Sequence, residues 1–457
     1  MSELELSPDL HQSRYPTMTT EQELASFVSE LELDDIPPDV AERGRLVIAD
    51  TLGAIVGGSR DPAVRSLVQL YAERTTGTTT VLGTEGIETV PHLAAFCNGA
   101  AGTVLELDEG HRFAAGHPAI HVLPGLLAEA ESEYGNGTDF LTSFVAGYEV
   151  AVRVARAMQP LQSGYHPHGV WGAVGGAASI AHHRGYGIER TLGAMTIAAN
   201  YAQHTRFEAA TEGATVRNGY AGMSNLASLL AADQAEAGFT GLSNGIESHL
   251  SLATREGFNA EVLVENLGSS WEIERGYFKI HAACRYTHAV LDAVATLQEE
   301  LSIEEIEAVT VGTYPAAAQL DEKRPENALQ AKFSIPFAVA TALVSGETGP
   351  AAFDGDAITP ETKALAEQVS VVVDETLAAK APEQRGAHVT IKTASGTEEE
   401  TVIAARGGEH RPFSEAAIES KFKRLTEPVI GTERGDSLWE AARALEAPRV
   451  LCTLAQR

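Results

Sequence analysis

GTDFLTSFVAGYEVAVRVARAM, residues Gly137–Met158, repeats its apolar side chains at three- and four-residue spacing, the period of a helix that buries one face. The same texture extends in both directions. VAERGRLVIADTLGAIVGG (Val40–Gly58) and GVWGAVGGAASIAHHRG (Gly169–Gly185) also read as helices, the second with small residues that let neighbours approach closely. From Glu21 to about Leu267 the pattern stays helical and rich in alanine and glycine, behind a polar, poorly ordered tail over residues 1–20. Many buried helices packed on one another are expected.

The texture changes after about Arg275. EIEAVTVGTY (Glu305–Tyr314) and HVTIKTASGTEEETVIAA (His388–Ala405) are rich in β-branched residues, and Ser395-Gly396 between two alternating runs predicts a hairpin. Between them FSIPFAVATALVSG (Phe333–Gly346) and PETKALAEQVSVV (Pro360–Val372) read as helical. Helices return in SEAAIESKFKRLTEPV (Ser414–Val429) and DSLWEAARALEA (Asp436–Ala447). The expected fold class is therefore mainly α. A helical domain over 21–270 is interrupted by a smaller α/β lid over 275–405, and 406–457 return to the helical domain, with the active cleft between the two.

Among 457 residues, 63 acidic against 33 basic give a formal net charge of −30. Such a surface repels nucleic acid and anionic lipid, so neither is expected as a partner. No run of about 18 apolar residues appears, so no membrane span is expected. The N-terminus carries no apolar signal-peptide core, and cytoplasm is the expected compartment. Cys97, Cys284 and Cys452 are odd in number and far apart, which offers neither a disulfide framework nor clustered ligands for zinc or an iron–sulfur centre. No lysine precedes Lys279. Dispersed acidity with scarce lysine resembles the proteome of a salt-accumulating halophile; an ordinary acidic cytosolic enzyme is the alternative.

Four segments carry chemistry. NGAAGTVLELDEGHRFAAGHPAIHVLP (Asn98–Pro124) gathers Glu106, Asp108 and Glu109 with His111, Arg112, His117 and His121, the materials of acid–base catalysis. Pro118 places His117 near a helix N-cap, a natural place for a substrate carboxylate. His111, His117 and His121 have the right types for zinc but lack an HExxH arrangement. SGYHPHGVWGAVGGAA (Ser163–Ala178) sets His166 and His168 ahead of a glycine-rich helix start; no strand precedes it, so it is not a dinucleotide fingerprint. GATVRNGYAG (Gly213–Gly222) offers Arg217 and Tyr220 in a turn-rich stretch. FKIHAACRYTH (Phe278–His288) places Lys279 beside His281, Arg285, Tyr286 and His288. A lysine in a chain that avoids lysine suits a task for a compact ammonium. Helix capping, packing or an ordinary loop would account for each segment taken alone.

In order and spacing these segments, with DTLG (Asp50–Gly53), AGYEVAVR (Ala146–Arg153), AKFSIPFAVATAL (Ala331–Leu343) and PFSEAAIESKF (Pro412–Phe422), resemble the MmgE/PrpD or 2-methylcitrate dehydratase family over about residues 25–440. The resemblance implies a large helical domain with an α/β lid, usually a homodimer, and no metal or organic cofactor. Members dehydrate 2-methylcitrate, decarboxylate cis-aconitate or epimerise iminodisuccinate. By position, it puts Asp108, His117, His166, Arg217, Lys279 and His288 on or near the active cleft; Asp108, His117, His166, Lys279 and His288 are the expected catalytic residues, and Arg112, His168, Arg217, Tyr220 and Arg285 the expected substrate-binding ones. Two departures stand out. The family's DFDDT is ELDEG here, with HRFAA inserted before GHP, and its usual lysine and histidine in the third segment are Arg217 and Tyr220.

All three activities place negative charge on a carbon beside a carboxylate, which cations must hold. Arg217, Lys279 and Arg285 are the expected clamp. His117 and His166 divide the acid and base roles in either order, and Asp108 orients a histidine. The expectation is a cofactor-independent lyase that dehydrates a small citrate-like polycarboxylate, above all 2-methylcitrate. Decarboxylation or epimerisation of a related acid is the alternative, and a catalytically silent binding or scaffold protein is the alternative of another class.

Overall fold

The computed structural model describes residues 18–131, 137–298 and 303–457. All but the end of the tail expected over residues 1–20 lies outside the described residues. The chain is mainly α, with a small α/β region.

The helix Gly137–Ala157 lies deep in the larger core, with Phe140, Leu141, Phe144, Tyr148 and Val152 buried. It packs along Gly172–His183, and glycine lets the two backbones meet. A Cβ on Gly147 would fall 2.7 Å from the carbonyl oxygen of Gly175, and one on Gly175 would fall 2.5 Å from the Ala151 methyl. The larger core draws on residues from Leu24 to Ile273 and again on Ile418, Phe422, Leu438 and Trp439. The helices Glu415–Ile430 and Thr432–Ala444 thus pack back onto Pro38–Gly58, with the Phe422 ring filling the space beside Gly53. A second core is built mainly from residues 282–405, joined by Leu107, Ala210 and Leu425.

The second core holds a four-stranded sheet in the order Val369–Val373, Ile306–Thr313, Ala387–Thr393, Thr397–Val402. The first pair is parallel and the others antiparallel. The hairpin expected at Ser395-Gly396 joins Ala387–Thr393 to Thr397–Val402. One expectation is corrected. Pro360–Val372 is not a single helix: the helix ends at Glu367 and Val369–Val373 forms an edge strand. Its valines are β-branched, and the ladder to Ile306–Thr313 supplies the partner that a local period cannot show. The opposite edge carries Glu398, Glu399 and Glu400, whose charge discourages further strand pairing.

Two-residue strands, Gly110–His111 and Gly276–Tyr277, pair antiparallel and tie the first and fourth chemical segments together. Among the described residues no helix is long and apolar enough to cross a membrane.

Candidate active site

The helix Pro91–Thr103 ends at the loop that leads to Asp108, and a helix C-terminus leaves carbonyl groups without intrahelical partners. Cations from four distant segments take carbonyls at this end and in the loop beyond it. Arg217 Nη1 donates to Thr103 O (3.2 Å), Lys332 Nζ to Val104 O (2.8 Å), Lys279 Nζ to Glu106 O (2.8 Å) and Lys421 Nζ to Leu107 O (2.6 Å). Positive charge suits the negative end of the helix dipole. Lys421 is also 2.6 Å from Asp50 Oδ1, so its own charge is paired. Within this grip Glu106 takes the left-handed conformation, φ 54°, which turns its side chain back toward the cations.

Glu106 is 1% exposed and pairs with both Arg217 and Lys279, the latter at 3.3 Å. Burial by itself would raise its pKa. The two cations outweigh burial and hold it down at about 2. Asp108 is fully buried too, 3.4 Å from His117 Nδ1 and 3.7 Å from Lys279. Burial, with the charge on Glu106 adding to it, pushes Asp108 up to about 6. Lys279 pulls the other way and does not win, because Glu106 already shares its charge. The two acids therefore differ: Glu106 holds its charge firmly, while Asp108 titrates about one unit below neutral pH.

The histidines sort by tautomer. His117 Nδ1 is 2.8 Å from the carbonyl oxygen of Glu109 and must donate to it, which leaves a lone pair on Nε2. His166 is the reverse. Its Nδ1 accepts the backbone N–H of His168 at 3.1 Å, so its proton sits on Nε2, which has no protein partner. The His168 ring stands between them, 4.6 Å from His117 and 5.0 Å from His166, and its Nδ1 is 3.2 Å from His121 Nε2. Burial, then the nearby cations, lowers His117 to about 3, and burial lowers His121 to about 3. His166 and His168 are also driven well down, mainly by burial. All four are neutral at working pH. Tyr220 meets the His166 ring edge-on at 5.9 Å, and Phe207 stacks on its face at 5.4 Å.

The structure brings some of the residues singled out from the sequence together and leaves others apart. Asp108, His117, His166, His168, Arg217, Tyr220 and Lys279 come together. His117 directly precedes the helix Pro118–Glu131, as its proline predicts. His288 lies elsewhere: its Nε2 donates to Ala283 O at 3.1 Å, and Arg285 meets its Nδ1 at 3.3 Å. Arg285 donates to the carbonyls of Ala405 and Arg406, and Arg112 lies 3.5 Å from Glu409, so neither reaches Glu106. The zinc trio does not assemble. His111 is bound by Glu272 and by the backbone N–H of Ala114. A different trio, Asp108, His117 and His168, offers ligand atoms within 4.8 Å of one another, beside Lys279, which already brings positive charge to Asp108.

Sequence reasoning missed Glu106 as the partner of both cations, and Lys332 and Lys421 as holders of the loop. A signal was present. The chain has eight lysines, and Lys279, Lys332 and Lys421 are buried. The scarcity argument applied to Lys279 would have served for the other two.

The profile of the MmgE/PrpD N-terminal domain matches residues 22–260, and that of the MmgE/PrpD C-terminal domain matches 281–447. A cis-aconitate decarboxylase-like protein of Aspergillus oryzae is 26% identical over 93% of this chain and 94% of its own length. Cis-aconitate decarboxylases of Aspergillus terreus and Homo sapiens are each 25% identical over 93% of this chain, and over 92% and 91% of their own lengths.

Proposed function

This chain belongs to the MmgE/PrpD family, and from that premise we propose that it is a cofactor-independent lyase acting on a citrate-like polycarboxylate. The observation that carries the proposal is the opposed tautomers of His117 and His166 beside the Arg217–Glu106–Lys279 cluster. A lone pair, a free N–H, a carboxyl group raised to about 6 and two cations stand together in a buried site. That set can grip carboxylates, move one proton and hold the charge that develops.

Decarboxylation of a cis-aconitate-type acid is the first reading, because relatives that align over more than nine-tenths of their length carry that name. The carbon–carbon bond to one carboxylate breaks and CO₂ leaves. The electron pair passes into the conjugated carboxylate held by Arg217 and Lys279. A proton from His166 Nε2 then completes the product, and solvent restores it. Dehydration of a 2-methylcitrate-type hydroxy acid is the second reading, favoured by the paired tautomers. His117 Nε2 takes the proton from carbon, the C–H pair becomes the double bond, the C–O bond breaks with its pair on oxygen, and His166 gives that oxygen its proton so that water leaves; solvent carries the proton from His117 back to His166.

Incubation of the purified chain with cis-aconitate, 2-methylcitrate and citrate, with products identified by NMR, tests this. Loss of CO₂ from cis-aconitate supports the first reading and water loss from 2-methylcitrate the second. Turnover of none of these acids overturns both and leaves the scaffold reading standing.

The partner in solution is a second copy of this chain. Met223 and Leu230, 41% and 38% exposed on the helix Tyr220–Glu236, and Val216, 65% exposed in the turn Thr215–Gly219 before it, present apolar side chains to solvent. Light scattering of the eluting protein is expected to give a dimer, and Met223→Glu to give a monomer. The site lies in a cytoplasmic, salt-adapted enzyme on this reading.

A further inference from the structure

Four arginines surround one small cavity at the seam between the two cores, in a chain of net charge −30. Arg112 and Arg275 come from the helical side, Arg285 and Arg385 from the side of the sheet. Each guanidinium lies over an aromatic ring: Arg112 and Arg275 at 4.5 and 4.0 Å from Phe113, Arg285 at 4.4 Å from Tyr277, Arg385 at 5.4 Å from Tyr286. A guanidinium held this way is fixed in plane and keeps its edge N–H groups for an in-plane acceptor.

Carboxylates do not balance these charges. Glu409, 3.5 Å from Arg112, is half exposed, and Glu272, 3.2 Å from Arg275, is shared with His111 and Arg156. Among the described residues no carboxylate comes within 4.0 Å of Arg285 or Arg385. Arg285 donates only to main-chain carbonyls and His288, and Arg385 donates to Arg112 O at 2.7 Å across the seam. Arg112 Nε is buried with no hydrogen-bond partner. Burial lowers the Arg112 pKa and the neighbouring Arg385 and Arg275 lower it further; burial brings Arg285 down to about 10. Four guanidinium groups around one cavity, with only the half-exposed Glu409 and the shared Glu272 opposite two of them and no carboxylate opposite the other two, leave room for an anion from outside.

The cavity holds about 40 Å³. That is space for roughly three waters, the bulk of one phosphate or carboxylate group and not of a whole tricarboxylate. Tyr277 forms one wall and meets the His117 ring edge-on at 6.5 Å, so the cavity stands outside the histidine cluster.

We propose that this cavity is a second anion site, which binds one oxyanion group through Arg112 and Arg385 and fastens the α/β unit onto the helical body. It goes beyond the proposed lyase activity and does not depend on it. A free phosphate and a carboxylate of a substrate-type acid share the required chemistry.

The test is calorimetric titration of the full-length protein with inorganic phosphate and, separately, with citrate, at constant ionic strength set with KCl. Wild type, Arg112→Gln, Arg385→Gln and Lys279→Met are compared, with hydrogen exchange of residues 404–410 as a second readout. Phosphate is expected to saturate one site, and citrate to fill the same site together with any site that depends on Lys279. Arg112→Gln and Arg385→Gln each weaken that shared site roughly tenfold or more, the loss of a charge-assisted fork, while Lys279→Met keeps it. Exchange at 404–410 slows with the anion in wild type only. Saturation by phosphate identifies a free ion as the ligand; saturation by citrate alone, surviving in Lys279→Met, identifies a substrate-type acid. No saturable binding of either, or no binding beyond what Lys279→Met abolishes and the arginine variants keep, overturns the proposal. Arg112, near the protein surface, carries the test if Arg385→Gln fails to fold.

Discussion

Lys279 Nζ lies 2.8 Å from the main-chain oxygen of Glu106 and 3.3 Å from its carboxylate, so one ammonium fixes both the backbone and the charge of a single buried residue. Arg217 holds the same carboxylate from another segment. The site is thus built around an acid whose charge is spent on positioning two cations, while burial raises its neighbour Asp108 to about 6.

Glu106→Gln removes that charge and leaves two buried cations unpaired. A loss of about 3–5 kcal/mol in stability is expected, the usual cost of breaking a buried pair from one side. Urea unfolding measures it. A change under about 1 kcal/mol would mean that the cations find water instead.

His117 and His121, lowered to about 3 by burial, are neutral in the folded protein. Their ring resonances are expected to stay at neutral positions from pH 8 to about 4 in an NMR titration. A midpoint near 6.5 for either would refute the buried cluster.

The same shifts set the pH dependence of stability. The contribution of His117 and His121 is complete above their unfolded value of 6.5 and is lost as pH falls toward about 3. Glu109 and Glu149 run the other way. Raised to about 7 by burial, they contribute fully below 4.5 and lose it as pH climbs to about 7. The two sets oppose each other between 4.5 and 6.5. Below 4.5 the histidines act alone among these four, and Glu106, held at about 2, adds in the same direction. Denaturation midpoints should therefore be shallow in pH above 4.5 and fall steeply below it.

Lys421→Met strips the bond to Leu107 O and leaves Asp50 buried without its cation. The single change is expected to cost about 3–5 kcal/mol, and pairing it with Asp50→Asn should recover part of that, giving a coupling of about 1 kcal/mol or more. Additive losses would show that the two side chains act independently.

Net charge of −30 with most acids at the surface predicts a melting temperature that rises with KCl. The screening length shrinks from about 10 Å at 0.1 M to about 3 Å at 1 M, which quiets repulsion among exposed acids such as Glu398–Glu400 and leaves buried pairs nearly untouched. A melting temperature that is flat or falls with salt would remove the halophilic reading.

Much of the scaffold was legible in the chain. The helix Gly137–Ala157, the hairpin at Ser395-Gly396 and the place of His117 before Pro118 all follow from residues within a few positions of one another. A buried face, a turn and a cap are local events, and a linear pattern records them. The order of the chemical segments also carried the family. What the sequence could not show was decided by distant partners. Val369–Val373 became a strand because Ile306–Thr313 offered a ladder. His288 and Arg285 share a segment with Lys279, yet they turn to carbonyls and to a separate seam. Glu106 emerged as the centre because Arg217 and Lys279 reach it from far along the chain, out of water, where an unpaired charge is too costly to keep. Tautomer and proton position follow from those same contacts, and only the folded protein supplies them.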